Sequence, residues 1–311
     1  MEIVNINKNF LKTRYGPDGI HVFDRQSGLN LLLDERVPNR KIWTLAPRQV
    51  SIALTNNCNL QCKHCYAPKS KSFLDKSLVK KWMKELDLAG SFGIGFGGGE
   101  PTLHPDFNEI CHYGKNETSL AITFTTHGHT LREPLIKNIE DNVNFTRVSM
   151  DGVGETYESI RGCSFDSFLK KLSLLTGRIN FGINYVVNRD TLKDIEQAIC
   201  IAELYGASEV LFLPEEAVGL GCQVDTQTLD KLSSWAGQYK GKLRLSISSL
   251  RKSSVNYLNA LENELEHLAY SHINADGLLK KTSFDKIGYK ITEEGVMKSF
   301  EKLCSAEERI I

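Results

Sequence analysis

The chain has 311 residues, 41% of them hydrophobic, which is enough to bury one large core and to form a single α/β barrel with short additions. The chain has 38 basic and 38 acidic residues and a formal net charge of zero, and it contains no basic block. The composition therefore does not indicate nucleic-acid binding. No apolar run approaches the roughly 20 residues that a membrane-spanning helix needs. The first thirty residues carry charges throughout and lack the apolar core of a signal peptide, so we expect a soluble protein of the reducing cytoplasm.

Two short strand patterns open the chain. Ile20–Asp24 and Leu29–Leu33 are separated by four residues that include Ser27 and Gly28, which predicts a β-hairpin. We expect this hairpin to belong to an N-terminal extension that covers residues 1–47. The extension is too short to be a full winged-helix domain for peptide recognition.

A triplet of cysteines, Cys58, Cys62 and Cys65, follows the buried-strand pattern Val50–Leu54. Three thiolates can hold three irons of a [4Fe–4S] cluster, which normally takes four cysteines, so one iron would stay open to a non-protein ligand. A zinc site needs a fourth ligand, and the only close candidate is His64, which lies inside the triplet. A disulfide does not suit a reducing compartment. The spacing therefore favours the cluster over zinc and over a disulfide.

A glycine-rich loop follows the next strand pattern, Phe92–Phe96. Gly98 and Gly99 allow the backbone unusual conformations and a close approach to a ligand. Glu100 offers a negative acceptor for an ammonium group, and Pro101 restrains the loop. A tight turn alone would also use glycines, but the Glu-Pro pair makes the pattern more specific.

These two motifs resemble those of the radical S-adenosylmethionine (SAM) superfamily. That family places its cysteine triplet after the first strand of a barrel, and Gly98–Pro101 is similar to its G-G-E-P segment, which binds the amino group of SAM. The resemblance implies one [4Fe–4S] cluster on Cys58, Cys62 and Cys65, with SAM on the fourth iron. It implies an enzyme that cleaves SAM reductively to a 5′-deoxyadenosyl radical and takes electrons from a donor such as flavodoxin or ferredoxin.

The middle of the chain alternates helix and strand patterns, which predicts a parallel sheet with right-handed crossovers. One helix is expected over Thr191–Tyr205, opened by a capping box of Thr191 and Asp194 and containing Cys200 as a small buried side chain. Pattern alone does not separate a doubly wound sheet from a barrel. The resemblance implies a partial (β/α)6 TIM-like barrel over residues 48–250, with the cofactors at the carboxyl ends of its strands.

The resemblance also assigns residues near the triplet and the third strand to SAM. His64 occupies the position of a ring that contacts adenine, and Tyr66 follows it. Thr126 lies in a turn similar to the family's T-N-G turn, with one extra residue. A hydroxyl that only caps the turn is the alternative for Thr126.

Later strand ends add further SAM-binding candidates. Ser149, Asp151 and Arg161 are similar to the family's S-x-D-G…R-G pattern, in which the serine contacts SAM and the arginine meets its carboxylate. The alternative is that Arg161 forms an ordinary ion pair within the protein and does not contact SAM. Asn188 and Leu213 end the fifth and sixth strands, at positions that commonly line the nucleoside pocket in relatives.

Residues 251–311 are expected to form a C-terminal helical extension. Leucines recur at three-and-four spacing from Leu258 to Leu268, which predicts a helix that packs on the core. A dimer seam is the alternative. Phe284–Ile291 and Val296–Leu303 then predict a short strand and a closing helix.

The other five cysteines are scattered singly, so they do not supply an auxiliary-cluster domain. Cys222 lies in the loop after the sixth strand, on the expected active-site side. A thiol there could donate a hydrogen atom to a substrate radical, as in radical SAM peptide epimerases. A bystander thiol is the alternative.

Three function classes compete. The first is a maturase of a ribosomally synthesised precursor peptide (a RiPP maturase), which acts by epimerisation, cross-linking or backbone excision. A separate leader-binding protein is a candidate partner for this class. The N-terminal hairpin and the C-terminal extension favour it. The second is a radical SAM enzyme that acts on a small metabolite or on RNA, and the third is a non-enzymatic iron–sulfur or zinc protein. A non-enzymatic protein of the third class would give the glycine loop and Ser149–Gly152 no function.

Overall fold

The computed structural model describes residues 11–248 and 261–307. Its N-terminal part is a three-stranded antiparallel sheet of β1 (Leu11–Gly16), β2 (Gly19–Asp24) and β3 (Asn30–Leu33). The β2–β3 pair is the predicted hairpin, which is thereby confirmed. β1 was not predicted; it joins β2 through a tight turn that ends at Gly19, whose φ of 122° suits glycine.

A second sheet of ten strands forms the body of the molecule, in the order β10-β9-β8-β7-β6-β5-β4-β11-β12-β13. The strands from β4 to β10 are parallel to their neighbours, which confirms the predicted parallel sheet. These seven strands are β4 (Gln49–Thr55), β5 (Gly93–Gly98), β6 (Ala121–Thr126), β7 (Phe145–Ser149), β8 (Phe181–Val187), β9 (Glu209–Pro214) and β10 (Arg244–Ile247).

Helices connect the parallel strands. They are α1 (Lys76–Ala89), α2 (Phe107–Glu117), α3 (Glu133–Ile139), α4 (Glu155–Arg161), α5 (Phe165–Leu172), α6 (Ile195–Leu204) and α7 (Thr226–Gln238). α1 begins after Asp75, whose side chain accepts from two backbone N–H groups, and ends at Gly90 in the left-handed conformation. Within the described ranges, no helix is both long and apolar enough to cross a membrane.

The two faces of the sheet differ in character. On β4, Val50, Ile52 and Leu54 are fully buried in the same apolar cluster as the α1 side chains Val79 and Met83. Successive side chains of a strand point to opposite faces, so the residues between them lie on the other face. That other face carries polar groups, including Gln49, Ser51 and Thr55 on β4. The sheet therefore has a dry, helix-covered face and a face suited to polar ligands.

The C-terminal segment is more strand-like than the sequence indicates. Its elements are α8 (Glu266–Ala269), β11 (Tyr270–Ile273), β12 (Leu278–Lys280), β13 (Tyr289–Lys290) and α9 (Val296–Glu307). The helix predicted from Leu258 to Leu268 is wrong over residues 261–265, which are not helical, and is present only over its last residues, where α8 begins at Glu266; Leu258 lies outside the described residues. β11 instead pairs in parallel with β4, which supplies backbone hydrogen bonds that the local pattern does not reveal. The closing helix is present as α9.

Two details of the predicted helix Thr191–Tyr205 are also wrong. A 3-10 turn, Thr191–Asp194, precedes α6, and the Thr191 hydroxyl donates to the Val186 carbonyl at 2.7 Å instead of capping the helix. The Asp194 carboxylate accepts from the Val153 N–H at 2.9 Å. Cys200 is exposed. Thr191 and Asp194 thus bind a neighbouring strand and a neighbouring loop instead of the helix end. Such contacts leave no local pattern in the sequence.

Candidate active site

The cysteine triplet lies in the irregular loop that follows β4. Cys62 is buried, Cys58 and Cys65 are partly exposed, and no disulfide joins any two cysteines within the described residues. Burial raises the pKa of the Cys58 thiol. In residues 11–248 and 261–307, no three His, Cys, Asp or Glu side chains converge on one metal ion. The cysteines of an iron–sulfur cluster bind different irons, so a loop of this kind does not need to bring its thiols to one point.

The end of β5 presses directly against this loop. The Gly99 N–H donates to the Thr55 carbonyl at 2.7 Å, and the Glu100 N–H donates to the Asn57 carbonyl at 2.8 Å. Gly98 has a φ of 122°, and a Cβ atom on it would lie 2.1 Å from the Thr55 oxygen. A Cβ atom on Gly99 would lie 2.2 Å from the Asn57 oxygen. Both glycines are therefore required by the close approach of β5 to the cysteine loop.

The Glu100 carboxylate is fully buried and joins the ends of β5 and β6. One oxygen, Oε1, accepts from the Thr102 hydroxyl at 2.6 Å and from the Thr126 hydroxyl at 2.9 Å. The other, Oε2, accepts from the His127 N–H at 3.0 Å. Both oxygens are thus engaged by protein donors, and the predicted contact of this carboxylate with the ammonium group of SAM stays a prediction. The same holds for Thr126, whose hydroxyl is buried in this network.

His127 is a part of the site that the sequence did not reveal. Its Nε2 lies 2.9 Å from the Asn59 Oδ1 of the cysteine loop and 3.3 Å from the Glu100 Oε2. Burial lowers the pKa of His127 although the Glu100 charge acts against it, so the ring is neutral at pH 7. Its only sequence signal was its position directly after Thr126 at the end of a strand.

A buried ion pair lies on the other side of the cysteine loop. Asp151, directly beyond Met150 at the end of β7, has no exposed surface, and its Oδ2 accepts from an Nη of Arg161 and lies 3.1 Å from the His64 Nε2. Its Oδ1 accepts from the Val186 N–H at 2.8 Å. Burial alone would raise the pKa of Asp151, but the Arg161 charge and the His64 ring outweigh it and lower the pKa to about 2. The carboxylate is therefore ionised across the physiological range.

Arg161 connects this pair to the triplet. Its Nη1 donates to the Cys62 Sγ at 3.4 Å, while its Nε is buried without a hydrogen-bond partner. A buried N–H group without a hydrogen-bond partner destabilises the folded protein. A ligand that accepts a hydrogen bond from this Nε would therefore be favoured. The predicted SAM contacts of His64, Asp151 and Arg161 stay predictions; in the structure Asp151 contacts both of the other side chains.

The remaining predicted SAM contacts are spread over the strand ends. Ser149 and Leu213 are half-buried at the ends of β7 and β9. Asn188 follows β8, and its amide is occupied, since its Nδ2 donates to the Glu215 Oε2 at 2.8 Å and its Oδ1 accepts from the Thr191 N–H. Tyr66 is exposed, and its ring packs edge-on against Phe284 at a centroid distance of 5.1 Å.

The loop that carries Cys222 packs on the cysteine loop. The Leu220 N–H donates to the Cys65 carbonyl at 3.0 Å, and a Cβ atom on Gly219 would lie 2.6 Å from the same oxygen. Cys222 itself is exposed, and its N–H donates to the Glu215 Oε1 at 2.8 Å. Its loop therefore lies on the same side of the sheet as the triplet.

A further polar cluster joins β4 to β11. The Ser51 hydroxyl lies 2.5 Å from the Tyr270 hydroxyl and 2.6 Å from the His272 Nδ1. Burial, aided by the charge of Lys280, lowers the pKa of His272 to about 4. No sequence signal pointed to this cluster, because it depends on pairing between strands more than two hundred residues apart.

Comparisons with known proteins agree with this geometry. The family model described as the radical SAM superfamily matches residues 52–199. The Fe-coproporphyrin III synthase of Methanosarcina barkeri is 28% identical over 184 residues, which are 57% of this chain and 46% of that protein. The mycofactocin maturase MftC of Mycobacterium tuberculosis is 30% identical over 172 residues, or 52% and 44% of the two chains. The chain thus spans about half the length of the curated relatives it matches.

Solved structures share the fold over a larger part of the chain. Streptococcus suis SuiB bound to the precursor peptide SuiA superposes with a TM-score of 0.77 at 11% identity, over 94% of this chain and 87% of SuiB. The structure of anSMEcpe with bound AdoMet and the Cp18Cys peptide gives a TM-score of 0.66 at 17% identity, over 84% and 82% of the chains. These likenesses confirm the partial-barrel architecture. The match to the radical SAM superfamily model covers residues 52–199, which include the cysteine triplet, the glycine loop and the Asp151–Arg161 pair.

Proposed function

We propose that the protein is a radical SAM enzyme that modifies a peptide. Cys58, Cys62 and Cys65 would hold one [4Fe–4S] cluster, and SAM would bind beside it at the carboxyl ends of the strands. When bound and reduced, the cluster supplies the electron for the cleavage of SAM, which yields a radical able to remove hydrogen from a substrate. The observation that carries the proposal is the contact of the cysteine loop with Gly98–Glu100 on one side and with Arg161 on the other.

The residues present suit both cofactors. Cys58 and Cys65 are partly exposed thiols, and the backbone of Gly98 and Gly99 packs directly against the loop that carries them. The Arg161 guanidinium beside the Cys62 sulfur favours an anionic group there, and its unpartnered Nε can donate to a carboxylate. Asp151 holds that guanidinium in place.

The choice of a peptide substrate is supported by the neighbours. SuiB and anSMEcpe were solved with peptides bound, and their folds cover 94% and 84% of this chain. The mycofactocin maturase is also named for maturation. We propose that the enzyme modifies its peptide by epimerisation, cross-linking or backbone excision. A flavodoxin or ferredoxin as electron donor, a separate leader-binding protein and a cytoplasmic location belong to the same proposal.

A small-molecule substrate is the second candidate. The Fe-coproporphyrin III synthase and the AdoMet-dependent heme synthase of Methanosarcina barkeri are named for small molecules, and the latter is 30% identical over 173 residues. Their similarity covers just over half of this chain, less than the peptide-bound structures do.

Cys222 is proposed as a hydrogen donor for the epimerisation case. Its exposure and the packing of its loop on Cys65 support this role. In deuterated water the exchangeable thiol would carry deuterium into the substrate carbon. Deuterium-free product formed equally well by Cys222→Ala would eliminate the donor role and leave cross-linking or excision.

The proposal is tested by anaerobic reconstitution followed by reaction with SAM, dithionite and short peptides encoded next to the gene. We expect about four irons per chain, release of 5′-deoxyadenosine and a mass change in one peptide. Joint replacement of Cys58, Cys62 and Cys65 by alanine should remove the iron and the SAM cleavage, whereas the control Cys200→Ala, at an exposed thiol on α6, should retain both. Retention of four irons by the triple variant would refute the ligand assignment. A mass change in a small metabolite, with none in any peptide, would favour the second candidate.

A further inference from the structure

A polar cleft of about 500 Å³ lies beside the candidate active site and shares Thr102 with it. Its walls come from the segment after β5, the segment after β6 and helix α5. Its polar lining includes Thr102, Asn108, His129, Thr130, Arg132 and Lys171.

The lining of this cleft is positively charged. Arg132 and Lys171 form no ion pair within the described ranges, and no Asp or Glu side chain is among the lining residues. Burial, together with the charges of Arg161 and Lys171, lowers the pKa of His129 to about 4, so the His129 ring is neutral at pH 7. The charge of the cleft therefore comes from two unpaired cations that face the same space, a setting that attracts an anion.

One wall carries an unmet hydrogen-bonding group. The side-chain oxygen of Asn108 is buried and has no partner. A buried polar atom without a hydrogen-bond partner is unfavourable, and a ligand that pairs with it recovers the lost hydrogen bond. An amide side chain offers both an acceptor and donors, as a peptide bond does, so the two are complementary. An inorganic anion has no N–H group to meet this oxygen.

The cleft is coupled to the glycine loop by hydroxyl groups. The Thr130 hydroxyl lies 2.7 Å from that of Thr102, which in turn donates to the Glu100 carboxylate at 2.6 Å. A chain that occupies the cleft would therefore lie next to the loop that packs on the cysteines.

We propose that this cleft binds an acidic segment of a peptide. Lys171 and Arg132 meet its carboxylates, and Asn108 meets a backbone amide. The assignment rests on the proposed peptide-modifying function and extends it, because it names acidic side chains as a feature of the substrate outside the reacting residue.

The test is peptide binding by the reconstituted holoenzyme without SAM or reductant, measured by fluorescence anisotropy at low salt. The probes are a labelled peptide of alternating Glu and Gly and its Gln-for-Glu counterpart. We expect the Glu peptide to bind at least tenfold more tightly than the Gln peptide. Lys171→Glu and Arg132→Glu should each weaken its binding by tenfold or more. The matched control Lys170→Glu makes the same charge change on an exposed neighbour in α5 that does not line the cleft, and it should bind as the wild type does.

Equal binding of the two peptides, or equal loss in the Lys171→Glu and Lys170→Glu variants, would overturn the assignment. Inorganic phosphate that raises the melting temperature of the wild type but not of Lys171→Glu, with no binding of the Glu peptide, would overturn it in favour of a free anion. Since no turnover is involved, the result stands apart from the proposed function. A peptide that is modified yet shows no charge-dependent binding would refute the cleft alone. Charge-dependent binding without modification of any peptide would support the cleft and count against the proposed reaction.

Discussion

At the scale of single residues, Asp151 is the charge that organises the candidate site. A buried carboxylate is stable only when it is paired and hydrogen-bonded, and Asp151 meets Arg161, His64 and the Val186 N–H at once. Arg161, which is 8% exposed, has no other carboxylate partner within the described ranges. The pair thereby presents a rigid guanidinium to Cys62 without leaving a net charge in the interior.

The first residue-scale prediction is that Asp151→Asn lowers the free energy of unfolding by about 3–5 kcal/mol, because it leaves the Arg161 charge buried and unpaired. Urea unfolding at pH 7 measures it. The control is Asp190→Asn, which breaks the ion pair between Asp190 and Lys193. These side chains are 74% and 72% exposed, so this change should lower the free energy of unfolding by less than about 1 kcal/mol.

The same pair has a defined pH dependence. The folded-state pKa of Asp151 is lowered from 3.8 to about 2, so its stabilising effect is complete above pH 3.8 and is lost as the pH falls toward 2. The stabilities of the wild type and of Asp151→Asn should therefore converge in acid. A gap that persists unchanged at pH 2, or a loss of less than 1 kcal/mol at pH 7, would contradict this account.

At the scale of elements, the contact between β5 and the cysteine loop depends on where glycines lie along the strand. Gly98 and Gly99 face carbonyl oxygens at distances that no side chain could accept, whereas a Cβ atom on Gly97 would meet nothing within 4 Å. The β5 end thus sets the position of the loop from Thr55 to Cys58 through backbone contact alone.

We predict that Gly99→Ala separates the two loops and weakens SAM binding at least tenfold, since overpacking of this kind typically costs about 1–3 kcal/mol. Calorimetric titration of the reconstituted protein with SAM measures the affinity. Gly97→Ala is the matched control on the same strand and should bind SAM normally. Equal affinities in the two variants would show that this contact does not shape the pocket.

At the scale of the whole molecule, the C-terminal segment completes the main sheet. β11 pairs with β4, and the side chains of Ile273, Leu279, Val296 and Phe300 are almost fully buried in the common core. Burial of four such side chains contributes on the order of 6–12 kcal/mol to the free energy of unfolding, which is comparable to the total stability of a typical domain. The boundary at residue 250 between a barrel domain and an extension stays a prediction.

Removal of residues 261–311 tests that boundary. We expect the shortened protein to be insoluble or unfolded, because the β4 edge and its apolar neighbours would be exposed. Soluble yield and far-UV circular dichroism are the measurements, and a chain that lacks only residues 308–311 is the control. A soluble, folded product would show that residues 1–260, which include the barrel, fold without the C-terminal segment.

Features that are local in the chain could be predicted from the sequence. The cysteine triplet and the glycine loop each lie within a few residues, and the alternating helix and strand patterns have short periods, so the site loops and the parallel sheet could be predicted. Which of these groups meet in space depends on the folded arrangement of the strands and helices. Ser51 and His272 are 221 positions apart, and Arg161 and Cys62 are 99 apart. Such contacts depend on which strand edges pair and on which charges share a buried space, and neither leaves a local pattern in the sequence.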